Sequence, residues 1–122
     1  MKDYALMVYT ILMPLVTGDL KAKVYKNTCP EDNDSRPDQF IVYHAGISSI
    51  GKIYKDGVAI VRNVDCDIVV YERGDGNAES SGVLADAVEQ QLIDRNIPYI
   101  RTSTGYIESE DAIQTAFDFM LR

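Results

Sequence analysis

From Arg62 to Glu72 the chain alternates with a period of two: Val64, Cys66, Ile68 and Val70 fall on one side, Asp65, Asp67, Val69 and Tyr71 on the other. Successive side chains of an extended chain point to opposite faces, so this stretch is a strand with one face in an apolar core and the other outward. The strand organises the rest of the fold. Its outward carboxylates, Asp65 and Asp67, leave three roles open: holding a metal ion, repelling DNA, or pairing with a neighbouring subunit.

A chain of 122 residues buries one core and not two, so residues 1–122 are expected to form a single domain. The hydrophobic content of 46% beside 25% charged residues is that of a globular protein, and no repeat or low-complexity segment argues for disorder. A formal charge of -7 gives an average field that repels phosphate backbones, so specific nucleic-acid binding is not expected. The two cysteines, Cys29 in a polar segment and Cys66 on the apolar side of the strand, make neither a disulfide framework nor a Cys-x-x-Cys pair. Both read as reduced thiols of a cytosolic protein.

The run Tyr4 to Val16 is apolar nearly all round, with Tyr4, Val8, Ile11, Leu12 and Leu15 at helical spacing. It falls short of the ~20 residues of a spanning helix. Lys2 is offset by Asp3 and no small-x-small cleavage site follows, so it reads as a core helix, not as a signal peptide or membrane anchor. Pro14 is expected to kink or end it, before a Thr17-Gly18-Asp19 turn and a short strand over Ala22 to Lys26.

Asn27 to Gln39 is a polar, turn-rich loop with two prolines; loops of this length in compact domains often contact a partner. Its charged residues Glu31, Asp32, Asp34, Arg36 and Asp38 form a candidate partner-binding loop. The spacing of a calcium loop is missing, so they read as solvated charges. Phe40 to His44 reads as a second strand. Ile50 to Val61, with Asp56-Gly57 as its turn, reads as a hairpin able to project beyond the sheet. A second helix is expected over Ala78 to Arg95, capped by Asn77 or Ser80 and closed by Asn96. Ile97 to Arg101 starts another strand. Glu108 to Leu121 reads as a terminal amphipathic helix through Ile113, Ala116, Phe117 and Met120. The expected fold is α+β: a mainly antiparallel sheet with a projecting hairpin, packed by N-terminal, central and C-terminal helices.

No catalytic constellation stands out. His44 is the sole histidine and lies in an apolar strand without a nucleophile placed beside it, which suits a structural role. Gly74-Asp75-Gly76 before a helix hints at phosphate binding, but no Gly-Lys-Ser/Thr ending follows and Asp75 and Glu79 repel phosphate. A tight strand-to-helix turn explains it better. A small metal-dependent hydrolase or nuclease, with magnesium or manganese, would draw on Asp38, Asp65 and Asp67, yet no Asp/Glu-x-Lys triplet occupies a strand. For Asp65 and Asp67 the plain alternative is cross-strand pairing with Arg or Lys, or exposure to solvent. No cofactor or metal is expected.

In element order the chain resembles the small tail-terminator, or tail-completion, proteins of long-tailed phages and prophages. The resemblance rests on the apolar N-terminal helix, the Pro-containing loop into Phe40-Ile-Val-Tyr43, the extended hairpin, the Asp65 to Glu72 strand, the helix around Leu84 to Leu92 and the closing strand after Pro98. The expected terminal helix departs from such proteins, which often finish on a strand or short tail. What the resemblance implies is a part that is not an enzyme: a homo-oligomeric ring, typically a hexamer, that caps the tail tube and joins it to the head. Its partners would be itself, the tail-tube protein and head-completion proteins, with no membrane. It would assemble in the host cytoplasm and be carried in the virion. Closing a ring requires two different patches on each copy. The candidate interface residues are Lys52, Tyr54 and Lys55 on the hairpin and Arg62, Asp65, Asp67 and Arg73 on the charged face. A lumen lined by carboxylates would let DNA pass without sticking. A protein-binding monomer built on the Asn27 to Gln39 loop is the remaining alternative.

Overall fold

The computed structural model describes residues 3–18, 22–27, 29, 39–46, 53–55, 58–61, 64–72, 82–107 and 112–121. The elements are α1 (Tyr4–Thr17), β1 (Lys23–Lys26), β2 (Gln39–Ala45), β3 (Ile53–Lys55), β4 (Val58–Val61), β5 (Val64–Glu72), α2 (Val83–Asp94), β6 (Tyr99–Ile107) and β7 (Ala112–Leu121). Five strands form one sheet in the order β1-β2-β5-β7-β6, and β3 and β4 form a two-stranded sheet of their own. Every neighbouring pair is antiparallel except β1 with β2. The fold is α+β, with a mainly antiparallel sheet.

Strand β5 sits at the centre, and its alternation sets the layers. Val64, Cys66, Ile68 and Val70 join Ile41 and Tyr43 of β2 and Phe117, Phe119 and Leu121 of β7 in one core. Both helices cover that face, through Val8, Ile11, Leu12 and Leu15 of α1 and Leu84, Ala85, Val88 and Leu92 of α2. On the other face a smaller cluster gathers Cys29, Phe40 and Val42 with Tyr25 and Tyr71, the Phe40 and Tyr71 rings stacking at 4.7 Å. Cys29, read from sequence as part of a polar loop, is buried there.

Helix α1 runs through Pro14 to Thr17 and is not ended by it. Asp3 caps the start by accepting from the Leu6 amide at 3.0 Å. Proline has no N–H to give the carbonyl four residues back, which is that of Thr10. Arg95, at the end of α2, donates to the Thr10 carbonyl oxygen at 3.3 Å and ties the two helices together at that point. Asn96, in the left-handed region at φ 57°, closes α2 as expected, and the Ile97 amide donates back to the Leu92 carbonyl at 3.0 Å. Neither described helix is long and apolar enough to cross a membrane.

The terminal helix is corrected: the chain from Ala112 to Leu121 is strand β7, and it lies inside the sheet between β5 and β6. Among the described residues the sheet is therefore packed by two helices, not three. Ala112, Thr115, Phe117, Phe119 and Leu121 are buried, a two-residue period over the last four. The stripe Ile113, Ala116, Phe117, Met120 was a coincidence of spacing; pairing on both edges of β7 overrides it.

The expected cap of α2 is also corrected. Asn77 and Ser80 lie outside the described residues, and the N-cap is Gly82, in the left-handed region at φ 90° that glycine adopts without strain. The capping oxygen comes from the sheet instead. Glu72, the last residue of β5, accepts from the Gly82 amide at 2.8 Å and the Leu84 amide at 3.4 Å.

Candidate functional site

Across the outward face of the sheet runs one lateral row: His44 on β2, Asp67 on β5, Asp118 on β7 and Ile100 on β6, each directly opposite the next. Asp65, one step along β5, faces Met120. Asp67 and Asp118 are like charges directly opposed across a strand pair, an arrangement that disfavours the pairing unless something offsets it. His44 offsets Asp67. Its Nδ1 lies 2.6 Å from Asp67 Oδ1 and its Nε2 2.9 Å from the Asn27 carbonyl oxygen. Both oxygens are acceptors, so the ring fills both contacts when each nitrogen bears a hydrogen. Asn27, in the left-handed region at φ 69°, turns the end of β1 so that its carbonyl meets the ring.

His44 thus links β2 to β5 and to the end of β1, and the partner of Asp67 is a histidine instead of the Arg or Lys expected across the strands. His44→Ala is expected to cost about 1–3 kcal/mol, because it strips a half-buried carboxylate of a charge-assisted hydrogen bond and leaves it opposite Asp118. Urea denaturation of the two proteins measures this directly.

Asp118 has no such compensation: it is exposed and makes no ion pair among the described residues. Its neighbours on this face, Ile100 across on β6 and Met120 two residues along β7, are large apolar side chains left in water, at 68% and 50% exposure. Asp65, Asp67, Asp118, Ile100, Met120 and Pro98 line an open depression of about 600 Å³. At its base Cys66 points to the core side. Burial pushes its thiol up from its ordinary value, and the carboxylates of Asp65 and Asp67 add to this, which suits an unreactive side chain.

No family model matches this chain, and no curated protein does either.

Of the residues read from sequence as interface or loop candidates, Asp65 and Asp67 come together on this face. Tyr54 and Lys55 lie on β3. Lys52, Arg62 and Arg73, the loop residues Glu31, Asp32, Asp34, Arg36 and Asp38, and the Gly74-Asp75-Gly76 turn lie outside the described residues. Among the described residues no group of three or more His, Cys, Asp or Glu side chains is placed to hold a metal ion. Asp118 and Ile100 escaped the sequence reading. The sequence spacing places Asp118 in a helix, and Ile100 reads as one more apolar residue of a strand; the register of β5, β7 and β6 joins them to Asp67.

On the helix side, Arg101 of β6 reaches Asp86 at 2.9 Å and Glu89 at 3.0 Å on α2 and lies over the Phe117 ring. These are largely exposed pairs whose part is to orient α2 on the sheet more than to stabilise it.

Proposed function

We propose that this chain is a structural assembly protein of the tail-terminator kind: copies close into a ring that caps a tail tube and presents a surface for head attachment. The part needs no bond-making chemistry. The observation that carries the reading is the β3–β4 hairpin, hydrogen-bonded as a sheet of its own apart from the five-stranded sheet. With the acidic outer face it supplies two different patches on one small domain, which rotational closure of a ring requires. Support also comes from the order of elements, helix, strands, hairpin, central strand, helix and closing strands, which is that of the resemblance. The departure read from sequence, a terminal helix, falls away because the last element is a strand.

In this reading the partners are other copies of the chain, a tail-tube protein and head-completion proteins, met in the host cytoplasm and carried into the virion. Acidic side chains facing a lumen would keep passing DNA from adhering. Light scattering combined with electron microscopy is expected to find closed rings with a central opening. A species that stays monomeric at every concentration tested overturns the proposal.

A further inference from the structure

We propose that the depression around Asp118, Ile100 and Met120 receives the β3–β4 hairpin of a second copy of this chain, with Lys55 set against Asp118. This rests on the ring reading and deepens it by naming the two surfaces that meet.

The receiving surface combines features that a monomer has little reason to keep together. Ile100 and Met120 flank Asp118 on β6 and β7, and all three are exposed. Asp67 is held by His44, while Asp118, directly opposite it, is offset by nothing on its own copy among the described residues. Exposed apolar side chains around a carboxylate without an ion pair among the described residues fit a partner that is both apolar and cationic.

The hairpin has that chemistry. Between Lys52 and Arg62 the sequence carries three cations, Lys52, Lys55 and Arg62, against the single acid Asp56, in a chain whose formal charge is -7. The rest of the segment is mostly apolar: Ile53, Tyr54, Val58, Ala59, Ile60 and Val61. Strands of three and four residues that, among the described residues, pair with each other and no further strand are marginal in water, so packing against another surface stabilises them. Hairpin and depression are different surfaces of one chain. Docking one into the other is therefore head-to-tail, and repeats until a ring closes.

Reversing the charges tests this. D118K places a cation opposite Lys55 of the next copy, and K55E places an acid opposite Asp118. Each variant alone is expected to need at least roughly tenfold more protein than wild type to assemble. In an equimolar mixture each hairpin finds a depression of opposite charge on the other variant, so assembly returns. Misfolding does not account for a loss in D118K, because the substitution replaces a like-charge pair with Asp67 by an attractive one. D118N, which removes the charge without reversing it, is expected to assemble between wild type and D118K. If wild type assembles and either reversal assembles equally well, or the mixture stays dissociated, the docking is wrong while the ring stands. If wild type itself never assembles, both fail.

Discussion

Phe117→Ala is expected to destabilise the fold by about 3–5 kcal/mol, a large share of the roughly 5–15 kcal/mol that holds a domain of this kind. Phe117 is fully buried at 0% exposure, near the middle of β7. Its backbone faces Ile68 of β5 on one side and Arg101 of β6 on the other, and its ring lies 5.9 Å from that of Tyr99. Truncation leaves a cavity between the sheet and the helices, and residues paired on both sides cannot collapse into it. Two neighbours sharpen the test. In a helix, Met120 would share the buried stripe with Phe117, and Phe119 would point away. In strand β7 Phe119 is 5% exposed and Met120 half exposed, so Phe119→Ala is expected to cost several times as much as Met120→Ala. Urea denaturation of the three variants decides between these geometries. Equal losses at Phe119 and Met120 would contradict the strand.

The contrast between β5 and β7 shows where the sequence was legible. In β5 the alternation is clean because its outward positions near the start are aspartates, and polarity marks each face. In β7 the outward positions Ala116 and Met120 are themselves apolar, while Ile113 lies on the inward face opposite Glu72. With the contrast between faces gone, spacings of three and four are as easy to find as spacings of two. Only hydrogen bonding to β5 and β6, which depends on residues distant in the chain, selects the strand. The same error hid half of the candidate site, since Asp118 and Met120 share the outer face with Asp65 and Asp67 only when β7 is extended. The helices behaved differently. Tyr4 to Thr17 and Leu84 to Leu92 each expose a continuous apolar stripe to one sheet face, and local periodicity sufficed to find them. The partner of Asp67 was hidden for another reason: β2 and β5 pair across more than twenty residues, and no local pattern reports which residue stands opposite.

The inward position of Glu72 is legible in the sequence. It has the parity of Val64, Cys66, Ile68 and Val70, so a strand through Glu72 points its carboxyl inward. There it is 4% exposed, with Oε2 on the two amides at the start of α2 and Oε1 without a hydrogen-bond partner. Glu72→Ala is expected to cost about 2–3 kcal/mol, because the buried Leu84 amide and the partly buried Gly82 amide lose their acceptor and a cavity opens between β5 and α2. Glu72→Gln keeps an acceptor for the Gly82 amide, removes a buried charge, and is expected to lie within about 1 kcal/mol of wild type at neutral pH. The two variants also separate in their response to acid. Burial is the main influence on the carboxyl and pushes its pKa above the ordinary 4.5, against the opposing pull of the amides. The folded state thus holds the proton more tightly than the unfolded chain. The stability this contributes is fully present below the unfolded value and is lost as pH rises through the folded one. Lowering pH from neutral towards 4.5 therefore stabilises wild type at this group and leaves the glutamine variant, which has nothing to titrate there, unchanged. Urea unfolding of both proteins at several pH values isolates the effect, since the other carboxylates are common to the pair and largely cancel in the difference. Wild type should gain on Glu72→Gln as pH falls; a difference independent of pH, or one that moves in wild type's disfavour, would mean that burial does not raise the pKa of this carboxyl.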